Sequence, residues 1–363
     1  MPTKKDAAIL WLKKFSEVKG VTGFEKRIKD LLVERMKKFG SISSDKLGSV
    51  VLTRKGTRQN GPKIMLAAHM DEVGFMVKHI TKEGFIKFVC LGGWWEQVML
   101  GQRVAVHSEK GDIIGIIGSK PPHILSPEER NKIVNKKDMF IDVGADDYKE
   151  VTENLGIKPG DFITPECSFS QMGNPDYLLG KAWDNRVGCA IMAEAVENLA
   201  QKGHPNTIYA VGTVQEEVGL RGAVTSANMI APDIALVIDT TVAGGMPGVG
   251  EDIAPAKLGG GVAITIYDAS LIPNTALRDL AIATAKKHKI KYQLSFSEGG
   301  GTDGGRIHMQ GSGVPTLVIS LPTRYIHSHQ SIIHFKDYQA AVKLLTEIIA
   351  GLNKAECDKI CNV

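Results

Sequence analysis

The sequence predicts an α/β protein, with a mostly parallel sheet covered by helices on both faces and a small all-β domain inserted into it. Three observations carry this expectation. From about Asp184 to the end, continuous apolar runs of strand length alternate with amphipathic helical stretches, the pattern of strands buried on both faces. Between Val73 and about Pro165 short β-type runs recur every roughly 8 to 12 residues, separated by Gly, Asp and Pro, which is the rhythm of a small barrel or sandwich. At 363 residues the chain also exceeds what one compact core holds, so a large domain and a smaller one are expected.

In chain order, residues 6 to 39 read as two helices. Ile9, Leu10, Leu12, Phe15 and Val18 keep helical spacing and Gly20 stops the first; Thr22 and Glu25 form a capping-box pattern ahead of Ile28, Leu31, Leu32 and Met36. Strands follow at "GSVVLTR" and "KIMLAAH". The β-type runs "GFMVKHI", "GFIKFVC", "RVAVHS", "DIIGIIGS", "MFIDVG" and "DFITPE" make up the insertion. Beyond it, "RVGCAIMAEAVENLAQKG" reads as a helix, "NTIYAVGTVQ", "PDIALVIDT" and "GVAITIYDA" as strands, "NTALRDLAIATAKKHKI" as a helix, "VPTLVISLP" as a strand and "FKDYQAAVKLLTEIIAGL" as a last helix. The expected division is an α/β domain from residues 1–71 and 167–363, with residues 72–166 as the inserted β domain.

Composition excludes several classes. With 43% hydrophobic and 23% charged residues the chain is ordinary folded material. Its net charge of +4 is small against 44 basic and 40 acidic residues, and no basic run carries interleaved aromatics, so no nucleic-acid partner is expected. No apolar stretch approaches the roughly 20 residues that span a bilayer, and "MPTKKDAAILWLKKF" lacks the apolar centre of a signal peptide. A soluble, cytoplasmic protein with no membrane partner is the expectation. Five cysteines, an odd number without a Cys-x-x-Cys pair, fit reduced thiols; Cys357 and Cys361, one helical turn apart, read as thiols on a helix tail.

In an open α/β sheet ligands bind beyond the carboxyl ends of the strands, so polar residues that end apolar runs form a set. Here "KIMLAAH-M-D" ends in His69 and Asp71, "YAVGTVQEE" in Glu216 and Glu217, and "DIALVID" in Asp239. "TLVISLPTRYIHSH" delivers His327 and His329, and "GKAWDNRVG" places Asp184 before a helix. Singly, each has a bland explanation as a cap, a turn residue or a solvated edge. Together they are an imidazole and carboxylate set suited to zinc, cobalt or manganese. Three carboxylates and two imidazoles can build two ion sites about 3.5–4 Å apart if one carboxylate bridges. A further carboxylate must then move protons, and the adjacent Glu216 and Glu217 offer one group for each task. Asp71 fits the role of orienting the His69 imidazole.

The stretches "AAHMDEVGFMV", "GKAWDNRVGC", "VGTVQEEVGLRGA", "VIDTT", "GGGTDGG" and "PTRYIHSH" resemble, in order, the motifs of the metallo-aminopeptidases that include glutamyl aminopeptidases and tetrahedral (TET) aminopeptidases. The resemblance covers nearly the whole chain. It implies a zinc-peptidase-like fold, peptide substrates, two divalent ions per subunit (zinc or cobalt first, manganese third), and an inserted domain for dimerisation in homo-oligomers from dimers to dodecamers. Carried over by motif, His69 and Asp239 would bind one ion, Glu217 and His327 the other, and Asp184 would bridge them. Glu216 would be the catalytic base and Asp71 the partner of His69. The "HSHQ" run leaves His329 as a second ligand candidate, although His327 holds the position after "RYI".

Other chemistries would use the same residues differently. A glucanase-type glycoside hydrolase needs two carboxyls roughly 5–10 Å apart and no metal, and it leaves the His and Asp set unexplained. Consecutive strand residues also face opposite sides, so bringing Glu216 and Glu217 to one site requires a turn or distortion in either reading. A dinuclear deacylase or carboxypeptidase would use the same ligands and differs only in substrate. A silent assembly protein would lack a ligand, and every position is filled. "EGGGTDGGRIH" lacks the Gly-Lys-Ser/Thr ending of a phosphate loop, so its glycines are expected to let backbone approach the pocket, with Thr302 and Asp303 near the wall.

Overall fold

A computed structural model describes residues 3–362. Its centre is an eight-stranded sheet in the order Ser41–Ser44, Val50–Arg54, Thr207–Thr213, Lys63–His69, Ile234–Val242, Thr316–Thr323, Val262–Tyr267 and Tyr292–Phe296. The four middle strands, from Thr207–Thr213 to Thr316–Thr323, are mutually parallel. Antiparallel pairings appear toward the edges, at Val50–Arg54 and Val262–Tyr267.

The continuous apolar run of "KIMLAAH" follows from burial on both sides. Ile64, Leu66 and Ala68 face one core, which includes Leu12, Phe15, Leu32, Ile191 and Leu345 from the helices, whereas Met65 and Ala67 face a smaller one with Ala223, Ala227 and Ile307. Helices Lys4–Glu17, Lys26–Met36, Trp183–Lys202, Thr275–Lys287 and Phe335–Gly351 supply the larger layer; Arg221–Ile230 and the short Gly304–Ile307 supply the smaller.

The strands Gly74–Ile80, Ile86–Leu91, Phe140–Asp142, Gly111–Gly118, Arg103–Ser108 and Phe162–Pro165 close into a barrel with its own core, including Phe75, Val77, Val104, Ile141 and Ile163. The chain thus leaves the large sheet immediately after His69 and returns after Pro165. A salt bridge from Lys19 and contacts of Arg27 with Asp112 tie the barrel to the helical entrance.

One local expectation changes. Thr22 and Glu25 do not form a capping box: the second helix has Glu25 as N-cap without a side-chain cap bond. Thr22 instead donates its hydroxyl proton to the Asp71 carboxylate, and Glu25 accepts from the backbone N–H of Gly23 (2.7 Å) and Gln215 (3.1 Å). Tertiary partners at the strand ends outcompete a local cap, which contributes only about 1 kcal/mol. A full capping box does occur at Thr3 and Asp6.

Candidate metal centre

The parallel register delivers the polar residues to one edge. His69 ends its strand opposite Thr213, and Asp239 lies beside Ser320 near the end of the neighbouring pair. Thr207–Thr213 stops short of the two glutamates, and Gln215 takes a left-handed conformation (φ 55°) that turns the chain there. That turn lets Glu216 and Glu217 share one site, and their backbone N–H groups donate to the Asp71 carboxylate at 3.1 and 3.2 Å. Asp184 enters at the non-helical start of Trp183–Lys202, and the Asn185 side chain donates to the Ile238 carbonyl at 2.7 Å, pinning that start beside Asp239. His327 arrives on the loop after Thr316–Thr323, itself left-handed (φ 57°).

The convergence is tight. Nε2 of His69 lies 3.2 Å from Oδ1 of Asp184, 3.8 Å from Oδ1 of Asp239 and 3.9 Å from Oε2 of Glu216. Nε2 of His327 lies 3.5 Å from Oδ2 of Asp184 and 3.4 Å from Oε2 of Glu217. Each oxygen of Asp184 therefore faces a different imidazole. Three ligand triplets result, His69–Asp184–Asp239, Asp184–Glu217–His327 and His69–Glu216–Glu217, each with its donor atoms within 4.8 Å of one another. The Nδ1–H of His69 donates to the Asp71 backbone carbonyl at 3.1 Å, which can only accept, so Nε2 is the ring atom turned toward the cluster.

Electrostatics give a test of whether ions fit. Four buried or half-buried carboxylates, those of Asp184, Glu216, Glu217 and Asp239, face two imidazoles. Burial, reinforced by Asp184, pushes the Glu217 carboxyl up to about 8. Burial also pushes Glu216 well above the carboxylate range, with Asp239, Asp303 and Glu217 adding to the shift, and Asp239 rises for the same reason beside Asp184. Burial opposes charge on the imidazoles, yet the surrounding carboxylates win: His69 sits well above its ordinary value and His327 is carried up to about 9. Asp184 goes the other way, because hydrogen bonds from His327 and His69 outweigh its burial. Oε1 of Glu217 is buried with no hydrogen-bond partner among the described residues. A site with excess negative charge, an orphaned carboxylate oxygen and only nitrogen and oxygen donors fits hard to borderline divalent cations.

The structure brings His69, Asp184, Glu216, Glu217, Asp239 and His327 to one cavity of about 550 Å³. His329 is elsewhere: buried, with neither ring nitrogen partnered among the described residues, it packs against Phe75 and edge-on to Trp94, and burial drops its pKa to about 4. Asp71 meets His69 mainly through its backbone; its carboxylate is 3.6 Å from Nδ1 and spends its closer bonds on Thr22 and the two glutamate N–H groups.

Several contributors escaped the sequence reading. A side chain at Gly93 would come 3.0 Å from Nδ1 of His327, and one at Gly92, left-handed at φ 84°, would come 2.6 Å from Val73 and 3.3 Å from Glu217. The Gly-Gly pair ahead of "WW" was the available signal. Trp94 is buried and donates Nε1–H to the Gly74 carbonyl (3.1 Å), whereas Trp95 is exposed. Beneath the site, Glu72 binds Lys181 at 2.6 and 2.7 Å and Arg186 at 3.3 Å, and Arg186 also donates to the Met70 and Gly20 carbonyls. These cations stand three residues before and two after Asp184, so the buried ion network joins that loop to the His69 strand end. Asp303 lies under the glycine-rich loop, accepting from Thr213 Oγ1 at 2.5 Å.

The family described as M42 glutamyl aminopeptidase matches residues 48–344, spanning every residue of the cluster. The chain belongs to that family. Among relatives of the M42 chain, the glutamyl aminopeptidase of Lactococcus lactis is 36% identical over 97% of this chain and 98% of its own length. The lysyl aminopeptidase of Pyrococcus furiosus is 33% identical over 94% and 96%. Among solved structures, a TET aminopeptidase from a marine-sediment Thaumarchaeota archaeon superposes with a TM-score of 0.95 at 45% identity, covering 99% of this chain and all of the other. The TET1 peptidase of Pyrococcus horikoshii, described as able to assemble into a tetrahedron or a large octahedral shell, gives 0.85 at 33% identity over 95% and 100%. The zinc-peptidase-like α/β fold with its small β domain follows, and with it aminopeptidase function as a peptide hydrolase. Among the described residues no helix is long and apolar enough to cross a membrane.

Proposed function

We propose that this M42 chain is a cytoplasmic dinuclear metallo-aminopeptidase that removes single residues from the N-termini of peptides. The observation that carries the reading is Asp184, whose two oxygens face His69 and His327 at 3.2 and 3.5 Å. His69 and Asp239 would hold one ion, Glu217 and His327 the other, with Asp184 shared between them. Bound ions would supply Lewis acidity toward the scissile carbonyl and make a water acidic enough to attack at neutral pH.

The chain's own groups do the rest. Glu216, with Oε2 directed to the same imidazole nitrogen at 3.9 Å, takes the proton of the attacking water and returns it to the departing amine. Asp71 holds Glu216 and Glu217 in place through their N–H groups, while its carbonyl fixes the tautomer of His69. Residues 72–166 act as the assembly domain: Trp95, Ile114 and Ile116 are exposed apolar side chains on it, and the Pyrococcus horikoshii relative is an assembling one.

The test is hydrolysis of chromogenic aminoacyl amides before and after EDTA treatment and after readdition of cobalt or zinc, with Glu216→Gln alongside. Activity should vanish with the chelator and return with metal. Glu216→Gln should lose about 10²–10⁴-fold in kcat with its metal content intact; full activity in that variant would remove Glu216 as the base.

A further inference from the structure

The cavity that holds the cluster extends along a wall formed by Thr240, Thr241, Val242, Leu220, Ile326 and the 299–302 backbone, and reaches Asp268. Among the described residues no Lys or Arg lines it, and apart from the six residues of the cluster Asp268 is the one charged residue on its surface. Loop chemistry fixes this carboxylate: Oδ1 accepts from the backbone N–H and the hydroxyl of Ser270, both at 2.7 Å, and Oδ2 accepts from the Thr302 hydroxyl at 3.0 Å. A carboxylate has about four acceptor positions, so one stays open on Oδ2. Gly301 and Gly305 make the arrangement feasible, since a Cβ at either would overlap the Ser270 side chain at 2.5 and 2.2 Å.

We infer that this cavity receives the N-terminal side chain of the substrate and selects a cationic one, lysine or arginine, with Asp268 as the specificity-determining residue. The inference rests on the aminopeptidase reading above. Relatives named for glutamyl and for lysyl cleavage share this fold, so the fold leaves the choice open and the wall decides it. A glutamate side chain would meet a wall that offers no Lys or Arg to pair with it and a fixed carboxylate instead, a desolvated like-charge contact. A lysine side chain can lay its methylenes along Leu220, Val242 and Ile326 and bring its ammonium to the open position on Asp268.

The test uses the metal-loaded full-length enzyme and a ladder of p-nitroanilides: lysine, Nε-acetyl-lysine, norleucine and glutamate. Lysine should exceed norleucine and Nε-acetyl-lysine in kcat/KM by at least about tenfold, the smaller end of what a hydrogen bond to a charged group contributes. Glutamate should be slowest. In Asp268→Asn the lysine-to-norleucine ratio should fall toward one; if that variant does not fold, the wild-type ladder alone decides. Cleavage in which glutamate matches lysine, or norleucine does, overturns the specificity and leaves the aminopeptidase reading standing. Cleavage of none of the four under metal-replete conditions overturns both.

Discussion

The two imidazoles of the cluster are held in opposite ways. His69 ends a fully packed central strand, is 2% exposed, and has its Nδ1–H tied to a backbone carbonyl. The His327 side chain is 39% exposed, stands on a left-handed loop residue, and is backed by the bare backbone of Gly93. One half of the centre is built into the sheet; the other is presented to it by a loop. A ligand locked by packing loses little entropy on binding an ion, whereas a loop-borne ligand must be ordered. The expected consequence is unequal affinity, with the His69–Asp239 ion held more tightly than the Glu217–His327 ion.

The largest effect should come from the residue that joins the halves. Asp184→Asn should lose both ions and lower kcat further than Glu216→Gln does, measured by elemental analysis beside amide hydrolysis. Retention of one full equivalent would show that the halves are independent. Next come the imidazoles themselves. His69→Ala should strip the protein to near-zero metal, while His327→Ala should keep about one equivalent, each losing more than the roughly 10–100-fold in affinity typical of groups that merely orient a ligand. Equal losses in calorimetric titrations would break the comparison. Gly93→Ala, which crowds His327 and leaves His69 untouched, should weaken only the second binding step, by about tenfold.

The smallest effect is on stability without metal. Glu217, raised to about 8, and His327, raised to about 9, both bind more protons in the folded chain than in the unfolded one between pH 7 and 9. Stability must therefore fall as pH rises through that window. Asp184, held low, has already given its contribution by pH 5 and adds no slope there. His329, lowered to about 4, acts with the opposite sign but only below its unfolded value near 6.5. The melting temperature of the EDTA-treated protein should drop from pH 7 to 9, and the gap to the metal-loaded protein should widen. A flat profile would mean the charge excess is relieved some other way.

The same contrast explains what could be read in advance. Residues that end apolar runs, His69, Asp239 and the Glu216–Glu217 pair, stand out in a linear sequence because nothing about a buried strand calls for them. The sheet and the barrel were legible for a related reason, since burial on both faces and short turn-punctuated strands leave different spacings. What stayed hidden depends on partners distant in sequence. Thr22 and Glu25 match a helix cap locally, yet Asp71 and Gln215 claim them. The left-handed turn at Gln215, the approach of Gly93 to His327, and the Glu72–Lys181–Arg186 network are set by contacts between segments that no local window contains. The position after "RYI" favours His327 over His329 in the sequence, and the surroundings supply the physical reason, one facing carboxylates and the other aromatic rings.

The measurement that reaches the central claim most directly is the metal content of purified full-length protein, titrated with cobalt or zinc from the chelated state while amide hydrolysis is followed. Two equivalents per chain, bound in unequal steps, with activity rising as the second site fills, is the expected result. Full activity at one equivalent, or in the absence of metal, would contradict a centre built on a shared Asp184.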